Sequence, residues 1–194
     1  MYEIEAKFIV KDVSALENCL IAFGAPLGEP VEEYDRFYQH PARDFAQTDE
    51  GLRIRTRTAS ALNESFITYK GPKIDAKTKS RKEIEIPLNI SDHDRWNDLL
   101  RSLGFVPAGI VRKFRRTSRL TFEEIDYEVV LDELPDLSEP ESKAFFVEIE
   151  TQADEGEIDF ARESLLQFAR YLPLSETVRK GYLELVLEKT AKNS

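Results

Sequence analysis

Apolar positions along the chain fall into two periods. Four segments repeat at helical spacing between recognisable end signals. The first runs from an N-cap at Asp12 through Val13, Leu16, Leu20 and Phe23 to a stop at Gly24. A second begins at Ser91 and carries Trp96, Leu99, Leu100 and Leu103 before Gly104. The third spans about Glu157 to Tyr171 and is closed by Pro173, and the fourth starts at Ser175 and runs through Tyr182, Leu183, Val186 and Leu187. Nearly everything between these segments alternates with period two, which predicts strands.

The strand segments share a pattern: one face is apolar and the other carries charges of both signs. Glu3, Glu5 and Lys7 alternate with Ile4, Ala6 and Phe8, and Arg53, Arg55 and Arg57 alternate with Ile54, Thr56 and Thr58. Arg81, Glu83 and Glu85 alternate with Lys82, Ile84 and Ile86; Lys113 with Arg115, and Glu148 with Glu150, follow the same rule. A single strand of this kind reads as a sheet with its charged face in water. Five recurrences favour an antiparallel sheet curled into a barrel, apolar side outward beneath helices and charged side inward. The sequence also repeats weakly at an offset of 80: Glu3, Ile4, Glu5, Asp12, Leu20 and Gly24 recur as Glu83, Ile84, Glu85, Asp92, Leu100 and Gly104, and Val31 recurs as Val111. Two similar halves are expected to face each other, and Ser138 to Lys143 reads as an insertion between strands.

With 194 residues, 41% hydrophobic and 33% charged, the chain is expected to be a globular domain. It has no run of about 18 apolar residues and no basic-then-apolar opening, so neither a membrane span nor a secretion signal is expected. One cysteine and two histidines supply neither a disulfide nor a Cys/His zinc site, and a cytoplasmic location is the expectation. The net charge of −10 argues against nucleic acid as a partner. That average conceals two basic concentrations: +7 between Leu52 and Lys82 and +5 from Arg112 to Arg119, which leave −22 on the other 155 residues. Such concentration suits a small polyanionic ligand.

Glutamates at i and i+2 on a strand share one face, so Glu3 with Glu5 and Glu148 with Glu150 supply oxygen ligands for Mg²⁺, and Asp132 adds another carboxylate. The alternative is that these acids pair with the inward arginines. Lys7, Arg53, Arg55, Lys70, Lys113 and Arg115 provide charge-assisted donors for a triphosphate. Phosphoryl transfer requires phosphates held in line and developing charge neutralised, which a channel lined by acids and bases satisfies. Other chemistries fit poorly. Gly71, Lys77 and Thr78 match a phosphate loop only loosely, because Ala76 stands where a glycine is required. Cys19, on a predicted helix, and His40 and His93 do not assemble a nucleophile with its base. Tyr34, Phe37, Tyr38, Phe66 and Tyr69 lie near the basic segments, where core packing is favoured over stacking on a base.

The Glu3-Glu5-Lys7 arrangement resembles the ExExK signature of the CYTH family, the triphosphate tunnel enzymes. Tyr34 to Tyr38, Arg43 to Phe45, Thr48 to Arg55, Thr68 to Lys73 and Arg81 to Glu85 resemble the class IV adenylyl cyclase branch. The resemblance implies a single α+β domain over residues 1–190: an eight-stranded antiparallel closed β-barrel with flanking helices and two similar halves. It implies Glu3, Glu5, Glu148 and Glu150 as metal ligands for Mg²⁺ or Mn²⁺, and Lys7, Arg53, Arg55, Lys70, Lys113 and Arg115 as triphosphate ligands. Lys7, Lys113 and Asp132 take the catalytic positions. ATP or another triphosphate is the implied partner, and the activity is conversion of ATP to 3′,5′-cyclic AMP and pyrophosphate. The alternatives are hydrolysis of the terminal phosphate of thiamine triphosphate or inorganic tripolyphosphate in the same tunnel, or a non-catalytic nucleotide-binding module. Whether two tunnels pair as a homodimer stays open. Two positions depart from the family pattern: Ser118 replaces an aromatic after the Lys-x-Arg pair, leaving one tunnel wall undefined, and Ala144 replaces a glycine before the last strand. Lys180 to Tyr182 resemble the family's C-terminal helix.

Overall fold

The computed structural model describes residues 2–72, 82–140 and 142–192. Lys73, Lys77, Lys79 and Arg81 of the basic run, and the loose phosphate-loop match at Lys77 and Thr78, lie outside them. The chain opens with β1 (Tyr2–Val10) and α1 (Val13–Ala22). Asp12 caps this helix by accepting from the Ala15 amide at 2.9 Å, and Gly24 at φ +73° ends it. There follow β2 (Val31–Gln39), the short α2 (Phe45–Thr48), β3 (Gly51–Ala59), β4 (Leu62–Lys70), β5 (Glu83–Leu88) and α3 (His93–Ser102). The chain ends with β6 (Val106–Phe122), β7 (Ile125–Glu133), β8 (Phe145–Ala153), α4 (Ile158–Ala169) and α5 (Tyr182–Lys192).

All eight strands join one antiparallel sheet in the order β1-β8-β7-β6-β2-β3-β4-β5. Exchanging β1–β4 with β5–β8 reverses this order and leaves it otherwise unchanged, so the two halves are related by a pseudo-twofold. The offset of 80 holds in detail, since residues 13–22 of α1 map onto residues 93–102 of α3. Across the central ladder Glu33 pairs with Lys113, its own image under that offset, so the pseudo-axis passes between these two residues. The ladder has edges at β1 and β5. Lys70 spans them, its Nζ standing 3.1 Å from Glu3 Oε1 on β1 and 2.6 Å from Glu83 Oε2 on β5. The curled sheet is therefore drawn together at its seam by side chains.

Apolar residues face outward as the alternation predicts. Ile4, Ala6 and Phe8 of β1, with Val129, Leu131, Val147 and Ile149, are buried against α1 and α4 through Leu16, Leu20, Leu165 and Phe168. In the other half Leu52 and Ile54 pack with Tyr38, Phe45 and Leu100 of α3. Ser118 sits on this outward side and donates to the Ala25 carbonyl, so the missing aromatic leaves the concave face unaffected. Ala144 accepts from the Leu134 amide at 3.0 Å, an ordinary backbone contact that joins the ends of β7 and β8.

The fourth helix differs from expectation. Residues 175–178 are extended and pair with the edge of β1: Ser175 N donates to Ile9 O (3.0 Å), Ile9 N to Glu176 O (2.9 Å) and Val178 N to Lys7 O (2.7 Å). Unpaired edge groups of β1 outcompete local helix propensity, and α5 starts only at Tyr182. This helix docks over β6 at Gly109, where φ is +156° and an added Cβ would stand 2.6 Å from Leu183 Cδ1. Among the described residues no helix is long and apolar enough to cross a membrane.

Candidate functional site

Each concave-facing strand contributes its alternate residues to a buried charged channel. The two halves share topology and differ in sign. Their third strands, β3 and β7, present Arg53, Arg55 and Arg57 on one side and Asp132 on the other. Their fourth strands, β4 and β8, present Lys70 against Glu148 and Glu150.

On the basic side Arg55 makes a two-pronged pair with Asp35, Nε to Oδ1 at 2.6 Å and Nη2 to Oδ2 at 2.7 Å. Its Nη1 also meets Glu33 Oε2 at 3.0 Å. Lys113 Nζ stands 3.0 Å from Glu33 and 3.7 Å from Asp35, and Arg57 Nε donates to Glu33 at 2.8 Å. Burial would raise both acids, but the surrounding cations prevail. Arg55, Arg53 and Lys113 hold Asp35 below the usual range, and Lys113, Arg115, Arg55 and Arg57 hold Glu33 well below it. Among the described residues Arg53 is the least satisfied cation here: its one ion pair, to Asp35, is 3.5 Å long, and its buried Nε has no hydrogen-bond partner. Burial, reinforced by the neighbouring Arg55 charge, lowers its pKa. An unsatisfied buried donor of this kind favours an anion.

On the acidic side Arg115 is held by Asp132 through two bonds of 2.8 and 2.6 Å and by Glu148 Oε2 at 2.6 Å. Asp132 also accepts from the Tyr182 hydroxyl at 2.9 Å. Lys7 lies 3.2 Å from Glu148 Oε1, donates to the Lys180 carbonyl at 3.2 Å and sits 3.5 Å from the centre of the Tyr182 ring. Lys113 faces the same ring at 5.3 Å. The three residues assigned catalytic positions, Lys7, Lys113 and Asp132, thus converge on Tyr182, the first residue of α5.

The four acids expected to bind metal divide. Carboxylate oxygens of Glu5, Glu148 and Glu150 lie within 4.8 Å of one another, whereas Glu3 pairs with Lys70 at the seam. Burial, with the charges of Glu3 and Glu5, pushes Glu150 up to about 8. A group of oxygen donors whose charges repel suits a hard divalent cation such as Mg²⁺, Mn²⁺ or Ca²⁺, and the three residues fit one. Lys180 enters through its backbone carbonyl, while its ammonium pairs with Glu188. His93 meets Ser65 on the outer side of the sheet, and His40 caps the loop before α2, outside the channel. Tyr38 and Tyr69 belong to the outer core, in keeping with packing roles, whereas Phe66 shares the face of β4 that carries Thr68 and Lys70, with the Arg57 guanidinium 5.3 Å from its ring.

Glu33 and Asp35 were missed as site residues, although a signal for them existed. The offset of 80 that carries Val31 to Val111 carries Glu33 to Lys113 and Asp35 to Arg115.

The CYTH domain family model matches residues 1–182. A Methanocaldococcus jannaschii protein named "Putative adenylate cyclase" is 31% identical over 188 residues, covering 95% of this chain and 98% of its own. The solved structure of the PH1819 protein from Pyrococcus horikoshii superposes with a TM-score of 0.81 at 38% identity, over 96% of this chain and 99% of that one. A Hippeastrum protein, described as a "Putative adenylyl cyclase" that "reveals a dominant" triphosphatase activity, superposes with a TM-score of 0.63 at 19% identity, over 96% of both chains. With a match that spans almost its whole length and a channel whose opposed acids and bases come from eight curled strands, the chain belongs to the CYTH domain family.

Proposed function

We propose that this chain converts ATP to 3′,5′-cyclic AMP and pyrophosphate, with Mg²⁺ or Mn²⁺ held by Glu5, Glu148 and Glu150. The observation that carries this reading is the division of one channel into a basic side with an unsatisfied Arg53 and an acidic side with three converging carboxylates. The Methanocaldococcus relative's name favours the cyclase.

In this reading Arg53, Arg55, Lys70, Lys113 and Arg115 grip the triphosphate, and Lys7 and Lys113 neutralise charge on the leaving pyrophosphate. A bound divalent cation supplies Lewis-acid polarisation of phosphoryl oxygens. Glu33 and Asp35 fix the directions of Arg55 and Lys113, so that the cations are aligned before substrate arrives. Asp132 holds Arg115 in the same way, both of its oxygens being engaged by Arg115 and one also by Tyr182. The ATP 3′ oxygen bonds to the α-phosphorus, the α-phosphorus-to-oxygen bond to pyrophosphate breaks, and the hydroxyl proton leaves to solvent.

A second reading is hydrolysis of a terminal phosphate from thiamine triphosphate or tripolyphosphate. It is favoured by the description of the Hippeastrum protein, which joins a cyclase name to triphosphatase activity in the same fold. The test is a product assay with Mg²⁺ or Mn²⁺ and each substrate in turn. Cyclic AMP with equimolar pyrophosphate from ATP is the expected result. Orthophosphate without cyclic AMP establishes the hydrolase, and no product from any substrate overturns both readings.

A further inference from the structure

One side chain belongs to both the acid group and the cation network. Glu148 Oε1 lies 3.2 Å from Lys7 Nζ and its Oε2 lies 2.6 Å from Arg115 Nη2, while the same carboxylate groups with those of Glu5 and Glu150, their oxygens within 4.8 Å of one another. Lys7 is buried with it at 2% exposure and Arg115 is mostly buried, so water screens these pairs poorly. Glu150, two residues further along β8, faces the same acid group but makes no ion pair among the described residues. The acids are therefore inequivalent: Glu148 is shared between two cations and the candidate metal group, and Glu150 is not.

A carboxylate that donates electron density to a divalent cation has less charge to offer two ammonium or guanidinium partners. Arg115 keeps Asp132 when its bond to Glu148 weakens, so its orientation survives while some of its positive charge becomes available. Lys7 stays placed by the Lys180 carbonyl and the Tyr182 ring. Both cations remain in position and lose part of their neutralisation, the condition for binding an anion.

We propose that Glu148 couples the two ligand sites: a divalent cation on Glu5, Glu148 and Glu150 releases Lys7 and Arg115 from Glu148 towards a polyphosphate, so that metal and polyphosphate reinforce each other through the protein itself. The proposal rests on the reading of the channel as a triphosphate site. Linkage makes the coupling reciprocal, and a polyphosphate drawing on Lys7 and Arg115 equally leaves Glu148 freer for metal. Direct contact between metal and phosphate adds to this coupling and is separated from it by working without metal.

The discriminating experiment is calorimetric titration of tripolyphosphate into wild type, Glu148→Gln and Glu150→Gln in EDTA at about pH 9, where Glu150 has given up its proton and both substitutions remove a charge, with folding checked by thermal melting. Glu148→Gln mimics the release and is expected to bind tripolyphosphate about tenfold more tightly than wild type, the scale of one charged hydrogen bond returned to the ligand. Glu150→Gln is expected to stay within about twofold, because it frees no cation. Equal gains in both variants would reduce the effect to net charge and overturn the proposal, as would no gain in Glu148→Gln. A measurement on wild type keeps the test open if a variant fails to fold: the ¹⁵Nζ resonance of Lys7, assigned with Lys7→Arg, is expected to shift on adding Mg²⁺ without phosphate, and an unmoved resonance overturns the coupling. Tripolyphosphate binding to none of the three proteins, with or without Mg²⁺, is a different failure and overturns the channel reading itself.

Discussion

Replacing Asp35 by Asn tests whether the channel is held together by its own ion pairs. Asp35 is 2% exposed and takes both prongs of Arg55, with Arg53 and Lys113 at 3.5 and 3.7 Å. The substitution keeps the shape and one acceptor but removes the charge, leaving, among the described residues, Arg55 with Glu33 as its remaining acid and Arg53 with no charged partner at hydrogen-bonding distance. Breaking a buried pair from one side costs about 3–5 kcal/mol, and the retained acceptor argues for about 3 kcal/mol. At about 2–4 °C per kcal/mol for a chain of this size, Tm should fall by about 6–12 °C in circular-dichroism melts. The double variant Asp35→Asn with Arg55→Met removes the Arg55 charge as well and should recover at least half of that loss, because the Arg55 guanidinium is then no longer a buried cation short of its two-pronged partner. A single variant within about 1 °C of wild type would refute the reasoning, as would a double variant less stable than the single one.

Two further predictions concern parts of the fold that support the channel. Gly109→Ala forces a Cβ to 2.6 Å from Leu183 Cδ1 at a backbone angle side chains avoid, so α5 should shift and stability drop by about 1–3 kcal/mol; urea melts and limited proteolysis within α5 check this, and unchanged values would contradict the docking described. The pH dependence of metal-free stability has a defined sign. Glu150, raised to about 8, keeps its proton in the folded state while the unfolded chain gives it up near 4.5, so this group makes stability fall as pH rises from about 5 to 8, and Glu3, also raised, acts in the same direction. Asp35 and Glu33, both lowered, contribute fully above the ordinary carboxylate range, and their contribution is lost on acidification below about 4. Tm in EDTA should therefore be highest near pH 5, and excess Mg²⁺ should move the maximum upward; a flat or rising EDTA curve between pH 5 and 8 would contradict the placement of the acids.

Much of the architecture was legible because the sequence signals were local. Inward charges at every second residue of β1, β3, β6 and β8 gave the concave face, and Asp12 with Gly24 gave both ends of α1. The repeat proved more informative than its few identities suggested, since it registers two helices residue for residue and marks the pseudo-axis. Three features were hidden for physical reasons. On β2 the run Glu32, Glu33, Tyr34, Asp35, Arg36 is polar on both faces, so alternation did not single out Glu33 and Asp35, although the offset to Lys113 and Arg115 does. The strap at residues 175–178 is extended because an edge of β1 needs partners, a long-range demand absent from its own sequence. The separation of Glu3 from the other acids depends on Lys70 reaching across the seam, which no spacing within either strand reports.

The central claim is that one channel holds a divalent cation on its acidic side and a polyphosphate on its basic side. A crystal structure of the protein with Mn²⁺ and tripolyphosphate tests it most directly, since Mn²⁺ is located by its anomalous signal. The account predicts Mn²⁺ bound by Glu5, Glu148 and Glu150, with phosphate oxygens within hydrogen-bond distance of Arg53 Nε and of Arg115. Manganese held elsewhere, or phosphates bound outside the curled sheet with Arg53 untouched, would contradict it.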